Sequence, residues 1–237
     1  MPWDVHYVAE TGSTNADLAA LARGGAGPGQ VLWAGHQTAG RGRLGRTWEA
    51  PPGSSLLASI LLPVEDVPFL VMARVALAAA DACARLSGLE VSLKWPNDLL
   101  VGDRKLAGLL AETEAGSPTV VVGIGCNVAW PRELRPPDLA DQVAALSDGF
   151  SGPPAPSVLL DALLDGLTGW LLRPAAEVLT AYRARCATLG REVTVHLAGG
   201  TLAGRASGIS ATGALEVAAA TGVTPVHAGD VVHVRAS

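Results

Sequence analysis

Cysteine is scarce. The 237 residues hold three, Cys83, Cys126 and Cys186, odd in number and isolated from one another, which excludes a disulfide framework and a Cys-x-x-Cys metal knuckle. A reducing, cytoplasmic compartment is the expectation. The five histidines, His6, His36, His196, His227 and His233, show no metal-ligand spacing, so structural zinc is not expected. Basic residues are also in deficit, 17 Lys and Arg against 22 Asp and Glu for a formal charge of −5, and the excess that marks a nucleic-acid binder is missing. No apolar run approaches the roughly 20 residues needed to span a bilayer. The longest apolar-rich stretch, Phe69 to Leu86, is broken by Arg74, Asp81 and Arg85. The opening Met1-Pro2-Trp3-Asp4 has no basic region of the kind that begins a secretory leader. Neither a membrane nor a nucleic-acid partner is therefore expected.

What is present suits a folded protein. An apolar fraction of 49% excludes a disordered chain, and the length fits a large domain plus a small one. Ser13-Thr14-Asn15 before the Asp17, Leu18 and Leu21 pattern predicts a capped helix from about residue 14. A strand is expected over 31–34, a long loop over 38–55, a buried strand over 56–62, a helix over 69–87 and a strand over 91–94. Residues 99–101 and 106–112 flank Gly102-Asp103-Arg104-Lys105, a hairpin connection by composition. A β-branched strand at 119–124 and helices over 157–172 and 175–189 follow, with a Pro, Gly and Ser-rich stretch at 136–156 between them. From Arg191 short alternating segments at 193–197, 201–207, 214–219 and 231–234 suggest a small β-barrel. The mixture predicts an α+β architecture.

Three segments carry chemistry. In His36-Gln37-Thr38-Ala39-Gly40-Arg41-Gly42-Arg43-Leu44-Gly45-Arg46-Thr47-Trp48 the glycines satisfy G-x-G-x-x-G. A dinucleotide fold is nevertheless rejected, since Pro51-Pro52-Gly53 blocks the required helix and Ile60 stands where an acid should. Arg41, Arg43 and Arg46 on a bendable backbone can grip phosphate oxygens and order around a ligand; a solvated basic loop is the other reading. In Lys94-Trp95-Pro96-Asn97-Asp98, Pro96 ends a strand and displays Asn97 and Asp98 in a turn. That is ordinary turn chemistry unless Lys94 and Lys105, flanking one hairpin, face a common anion. The strand Val120 to Gly125 leads into Cys126 and Asn127, and Gly125 permits close approach of a ligand or another part of the chain, or simply a turn. Ser13 and Thr14 are capping residues first, at a place also suited to a polar ligand group.

Together these stretches closely resemble the biotin protein ligase family. The matching pieces are G-S-T-N at 12–15, H-Q-T-A-G-R-G-R-L-G-R-T-W at 36–48, K-W-P-N-D at 94–98, D-R-K-L-A-G at 103–108 and G-I-G-C-N-V at 123–128. The resemblance implies an α+β, class II synthetase-like catalytic domain over 1–189, a mixed sheet with flanking helices, and a small SH3-like β-barrel over 190–237. It implies a two-step ligase using biotin, ATP and Mg2+, with a biotin carboxyl carrier domain of an acyl-CoA carboxylase as acceptor. By position, Ser13, Thr14, Gln37, Gly40, Arg41 and Lys105 are implied to bind biotin. Arg43, Arg46, Trp48, Asn97 and Asn127 are implied to bind the nucleotide or adenylate, and Lys105, Arg43 and Asp98 to serve catalysis. No metal ligand is assigned to a protein side chain. Cys126, where the family usually has an aliphatic residue, reads as a small buried hydrophobe. Because the first motif begins at Gly12, no N-terminal DNA-binding domain is expected. The alternatives are a lipoate or octanoate ligase and a non-catalytic binding protein.

Overall fold

The computed structural model describes residues 2–149, 152–197, 199–220 and 222–234. Its larger part is a seven-stranded sheet. Strands β1 (Asp4–Thr11), β2 (Gln30–Gln37), β3 (Ser55–Pro63), β4 (Ser92–Lys94), β5 (Asp98–Val101), β6 (Arg104–Glu112) and β7 (Thr119–Asn127) lie in the order β1-β2-β3-β7-β6-β5-β4. Only β1 and β2 pair in parallel, and helix α1 (Thr14–Arg23) connects them. The other neighbours are antiparallel, so the sheet is mixed, as expected.

Alternation along the central strands decides which face each residue serves. Leu56, Ala58, Ile60 and Leu62 of β3, with Val122, Ile124 and Cys126 of β7, belong to the main core. Against it pack α2 (Pro68–Ser87), α4 (Pro156–Leu171) and α5 (Ala175–Arg185), a short helix α3 (Pro137–Ala140) preceding the last two. The alanines of α2, among them Ala73, Ala76 and Ala78 to Ala80, are buried and short, and a Cβ placed on Gly166 of α4 would stand 3.8 Å from Ala78. The other face is left for a small cluster of Leu18, Leu32, Leu61 and Val121 under α1. Next to that cluster the alternate positions of β3 and β7 are Ser59, Gly123 and Gly125, polar or without side chain. That is where a cavity opens.

The C-terminal part is a five-stranded antiparallel sheet of β8 (Glu192–Leu197), β9 (Gly200–Ile209), β10 (Leu215–Ala219), β11 (Gly222–Val226) and β12 (Asp230–His233), ordered β11-β10-β9-β8-β12. It is tied to the larger sheet through Trp95. That fully buried residue donates its indole N–H to Gly213 O at 3.0 Å and its backbone N–H to Thr188 Oγ1 at 3.1 Å.

Three expectations need correction. Helix α5 stops at Arg185 rather than near 189, because Cys186 turns to an extended φ of −79° and ψ of 101° and bridges Leu93. The β5–β6 connection is shorter than residues 102–105, since Gly102 at φ 59° makes the turn and the strand resumes at Arg104. Strands β1 and β11 were not expected. All three cysteines are buried and free, and Cys126 Sγ lies 3.8 Å from Cys83 Sγ in the core. No helix among the described residues is long and apolar enough to cross a membrane.

His233 makes the junction between the sheets sensitive to acid. Its Nδ1 lies 3.3 Å from Arg191 Nη1 and its Nε2 3.1 Å from Thr188 Oγ1, which suits the neutral ring with its proton on Nε2. Burial, reinforced by Lys94 and Arg191, lowers its pKa to about 4. The unfolded chain therefore takes up this proton first as pH falls, and stability is lost from roughly pH 6.5 down to about 4. His233→Gln should flatten the melting temperature over that window; an unchanged slope would remove His233 as its source.

Candidate active site

The cavity sits where three chain segments cross the open face of the large sheet. Ser13, Thr14 and Asn15 enter from the start of α1, Arg41 to Trp48 roof it, and Asn97, Asp98 and Lys105 line its side. Gly123 and Gly125 form part of the floor, and Asp230 reaches in from β12. Thus Ser13, Thr14, Gln37, Arg41, Arg43, Arg46, Trp48, Asn97, Asp98 and Lys105, far apart in sequence, share one cavity.

Its inner end is uncharged. Ser13 holds the N-cap position of α1 with φ −161° and ψ 124°, yet its side chain makes no capping hydrogen bond. The expected capping role is thus not performed by its hydroxyl. The Thr14 backbone N–H donates to Gln37 Oε1 at 2.8 Å and the Thr14 hydroxyl lies 3.0 Å from the same oxygen. Fixing that carbonyl leaves the Gln37 amide to present its N–H groups to the cavity.

The outer end is cationic, with partners already in place. Lys105 Nζ lies 2.8 Å from Asp98 Oδ1 and 5.6 Å from the centroid of the Trp48 ring. Its backbone is clamped by the loop after α3, with Lys105 N donating to Gln142 O and Ala144 N to Lys105 O, both at 2.8 Å. Arg46 pairs with Asp230, whereas Arg41 stands at the edge of the inner end, its Nη2 2.9 Å from Glu112 Oε2, the oxygen that also accepts from Asn15 Nδ2. Arg43 donates instead to neutral oxygens, Asn97 Oδ1 at 3.1 Å and Gly229 O at 3.3 Å. Burial lowers its pKa while Asp98 and Asp230 oppose the shift. The hydrogen bond to Asp230 raises that of Arg46. Burial works against the charge on Asp230, but Arg46, Lys94 and Arg43 hold its carboxyl below the usual range.

The roof is braced at its base. Trp48 N donates to Gly40 O at 3.0 Å and Gly42 N to Arg46 O at 2.7 Å. Gly40 does not line the cavity; it is buried beside it, where a Cβ would stand 2.4 Å from Trp48 O. Trp48 lies on Gly125, where a Cβ would stand 2.4 Å from Cε2. The close approach read at Gly125 is therefore made by a side chain of the loop. The Trp48 indole N–H is buried and has no hydrogen-bond partner among the described residues.

Asn127 stands apart from the lining. It is buried, donates Nδ2 to Ala144 O at 3.0 Å and lies with Oδ1 3.5 Å from Ser55 Oγ. Lys94, paired in register with Asp98, faces the groove beside the cavity rather than the cavity itself. The motifs did not include Ser59, Glu112 or Asp230 and gave Asn15 and Gly123 no role. Their partners are distant along the chain, and Asp230 lies 184 residues from Arg46. Among the described residues no cluster of three or more His, Cys, Asp or Glu could hold a metal ion.

Comparison with known proteins accords with this geometry. Residues 4–129 match the model of the Biotin/lipoate A/B protein ligase family, and residues 188–234 match the Biotin protein ligase C terminal domain. A Biotin--[acetyl-CoA-carboxylase] ligase of Mycobacterium tuberculosis is 42% identical over 96% of this chain and 88% of its own. A ligase of the same description from Paracoccus denitrificans is 32% identical over 94% and 98%. The structure of a biotin protein ligase from Aquifex aeolicus in complex with biotin and ATP superposes with a TM-score of 0.85 at 26% identity, covering 98% of this chain and 99% of that one. With the cavity built from the very segments that carried the sequence resemblance, the chain belongs to the biotin protein ligase family.

Proposed function

We propose that the chain is an ATP-dependent biotin protein ligase. The observation that carries this reading is the polarity of the cavity: uncharged hydrogen-bonding groups at one end, Arg43, Arg46 and Lys105 at the other. A cyclic urea offers N–H donors and one carbonyl, which Thr14, Ser13 and Gln37 can match without charge. The carboxylate of the same molecule and the phosphates of ATP call for the cationic end.

In the first step a biotin carboxylate oxygen attacks the α-phosphorus of ATP, pyrophosphate leaves, and biotinyl-5′-adenylate forms. In the second, the amine of an acceptor lysine attacks the acyl carbon and AMP leaves. Lys105 serves both anions of the first step, Arg43 and Arg46 hold phosphate oxygens, and Trp48 packs beside the adenylate. Asn97, anchored through Nδ2 to Leu109 O at 2.9 Å, orients Arg43. Asp98 positions the incoming ammonium or takes its proton. Gly40 acts by letting the loop base close, and Arg41 borders the biotin end. The expected nucleotide contact of Asn127 gains no support, since its amide is engaged with Ala144.

Magnesium bound with the nucleotide would neutralise phosphate charge, and the cavity carboxylates Asp98 and Asp230 are oxygen donors of the type that would hold it. Residues 1–189 are assigned to the catalytic domain and 190–237 to the small barrel, whose Asp230 completes the cavity wall. The acceptor is a biotin carboxyl carrier domain of an acyl-CoA carboxylase, and three buried free thiols suit the cytoplasm.

The test is ATP–pyrophosphate exchange with magnesium and biotin, lipoate or no acid. Exchange with biotin alone supports the reading, exchange with lipoate moves the substrate, and exchange with neither removes the catalytic function. The same reading expects amides within 38–48 to gain hydrogen-exchange protection when biotin and ATP are added. Unchanged exchange there would mean that the loop is no ligand-ordered cover.

A further inference from the structure

Lys105 sits where its strand has run out of regular neighbours. Strand β7 pairs with β6 as far as Ala107, opposite Cys126, and no further. On the other side β5 shifts register between Leu99 and Leu100, and Leu100 is the residue opposite Lys105. The place of β7 is taken by the loop after α3, whose Val143 bridges Lys105 in parallel. That loop segment is pinned along its length. Gln142 O and Ala144 N bond to the Lys105 backbone, Ala144 O accepts from Asn127, and Ala145 N donates to Asp148 Oδ2 at 3.4 Å.

The remaining anchor is a buried arginine. Arg135, whose side chain is wholly buried, donates Nη1 to Val143 O at 2.9 Å and Nε and Nη2 to Trp130 O at 3.0 and 2.6 Å. Its two Nη atoms also meet the Asp148 carboxylate. Asp148 in turn takes Arg104 Nη1 at 2.8 Å, which gives the arginine of the Asp103-Arg104-Lys105 motif a partner although the reaction assigns it no role. Burial works against the charge on Asp148, but Arg135, Ala145 and Arg104 hold its carboxyl below the usual range. A rigid five-donor fork is the side chain that can tie two carbonyls and a carboxylate together at once.

We propose that Arg135 and Asp148 are positioning residues for Lys105. Arg135 fixes the loop segment that replaces β7 and so fixes the Lys105 backbone, while Asp148 holds the neighbouring Arg104, and the ammonium is delivered to the cavity at one place. A flexible lysine meets developing charge in register only if its stem starts from a fixed point. Neither Arg135 nor Asp148 lines the cavity. This rests on the reading of Lys105 as the group that serves adenylation.

The test is biotin-dependent ATP–pyrophosphate exchange by the full chain for wild type, Arg135→Met, Lys105→Ala and the double variant, with Arg74→Met as control. Methionine fills much of the arginine's volume and leaves Asp148 its pair with Arg104. Arg74 is the other buried arginine among the described residues, bound to Glu65 and to the Trp170 and Arg173 carbonyls away from the cavity. Arg135→Met is expected to lower kcat about tenfold, with the KM values for biotin and ATP moving by less than about twofold, and Arg74→Met to leave kcat within about twofold of wild type. The double variant should exchange no more slowly than Lys105→Ala alone, because no ammonium then remains to be placed. Wild-type kcat in Arg135→Met, equal losses in Arg135→Met and Arg74→Met, or losses that multiply in the double variant would overturn the positioning role. Should Arg135→Met fail to fold, Asp148→Asn carries the same cycle with Lys105→Ala and the same criteria. Wild-type protein without exchange would sink the functional reading and this one with it, whereas a slow Lys105→Ala beside a normal Arg135→Met would sink this one alone.

Discussion

Lys105→Ala is expected to slow biotin-dependent ATP–pyrophosphate exchange by about 10²–10³-fold, the loss typical of removing one oriented donor from developing charge, roughly 2.7–4 kcal/mol. The fold should hardly notice. The side chains of Lys105 and Asp98 are 37% and 19% exposed, so both keep contact with water, and losing the pair should cost near the upper end of the about 0–1 kcal/mol typical of solvent-accessible pairs. Its backbone stays clamped by Gln142 and Ala144 whatever the side chain. Circular dichroism and melting temperature measured beside the exchange rate separate the two effects. A near-normal rate would take Lys105 out of the reaction. Arg43→Ala should fall in the same range, since it removes the cation whose hydrogen-bond partners here are neutral oxygens.

The second large effect comes from a methyl group. Gly125→Ala would place a Cβ 2.4 Å from Trp48 Cε2 and 2.8 Å from Cδ2, well inside the roughly 3.5–4.0 Å of optimal carbon contact. The strand is paired on both sides, with Leu57 and Gly108, so the indole must move and take with it the ring that Lys105 overlies. A displacement near 1 Å in a reacting assembly can cost about 10²-fold. Adenylation should fall by that order, the KM for ATP should rise, and tryptophan emission should shift to the red as Trp48 becomes hydrated. An unperturbed spectrum with full activity would show that the loop does not need its seat on β7.

Much of this architecture was legible because the decisive strands and helices are strongly patterned. The continuous apolar run of β3 and the long amphipathic α2 bury most of what they carry, and tertiary context had little to override. Strand β1 was illegible for the opposite reason: as an edge strand it exposes residues on both faces, among them Val5 and Tyr7, so no alternation marks it. Strand β11 contains Pro225, which its edge position tolerates and which argues against a strand in sequence. At the site the motif residues converge, but the groups that hold them do not announce themselves. Ser59 is one polar position in an apolar strand, and Glu112 and Asp230 acquire meaning only through partners 71 and 184 residues away. The capping signature at Ser13 and Thr14 was correctly placed on a helix start, yet the Ser13 side chain makes no cap hydrogen bond, and the Thr14 hydroxyl is engaged with Gln37 and Ser59.

The pairing of Lys105 with Asp98, Arg41 with Glu112 and Arg46 with Asp230 makes recognition here a competition. An arriving anion finds each of these cations already occupied by a resident carboxylate and gains only the difference between the two partners. A small oxyanion with nothing else to offer has little to gain from displacing a tethered carboxylate. A ligand that also fills the uncharged end brings further binding energy to that exchange. The empty cavity is thereby guarded against abundant simple anions, and discrimination comes from the incumbents that must be unseated as much as from the contacts that replace them.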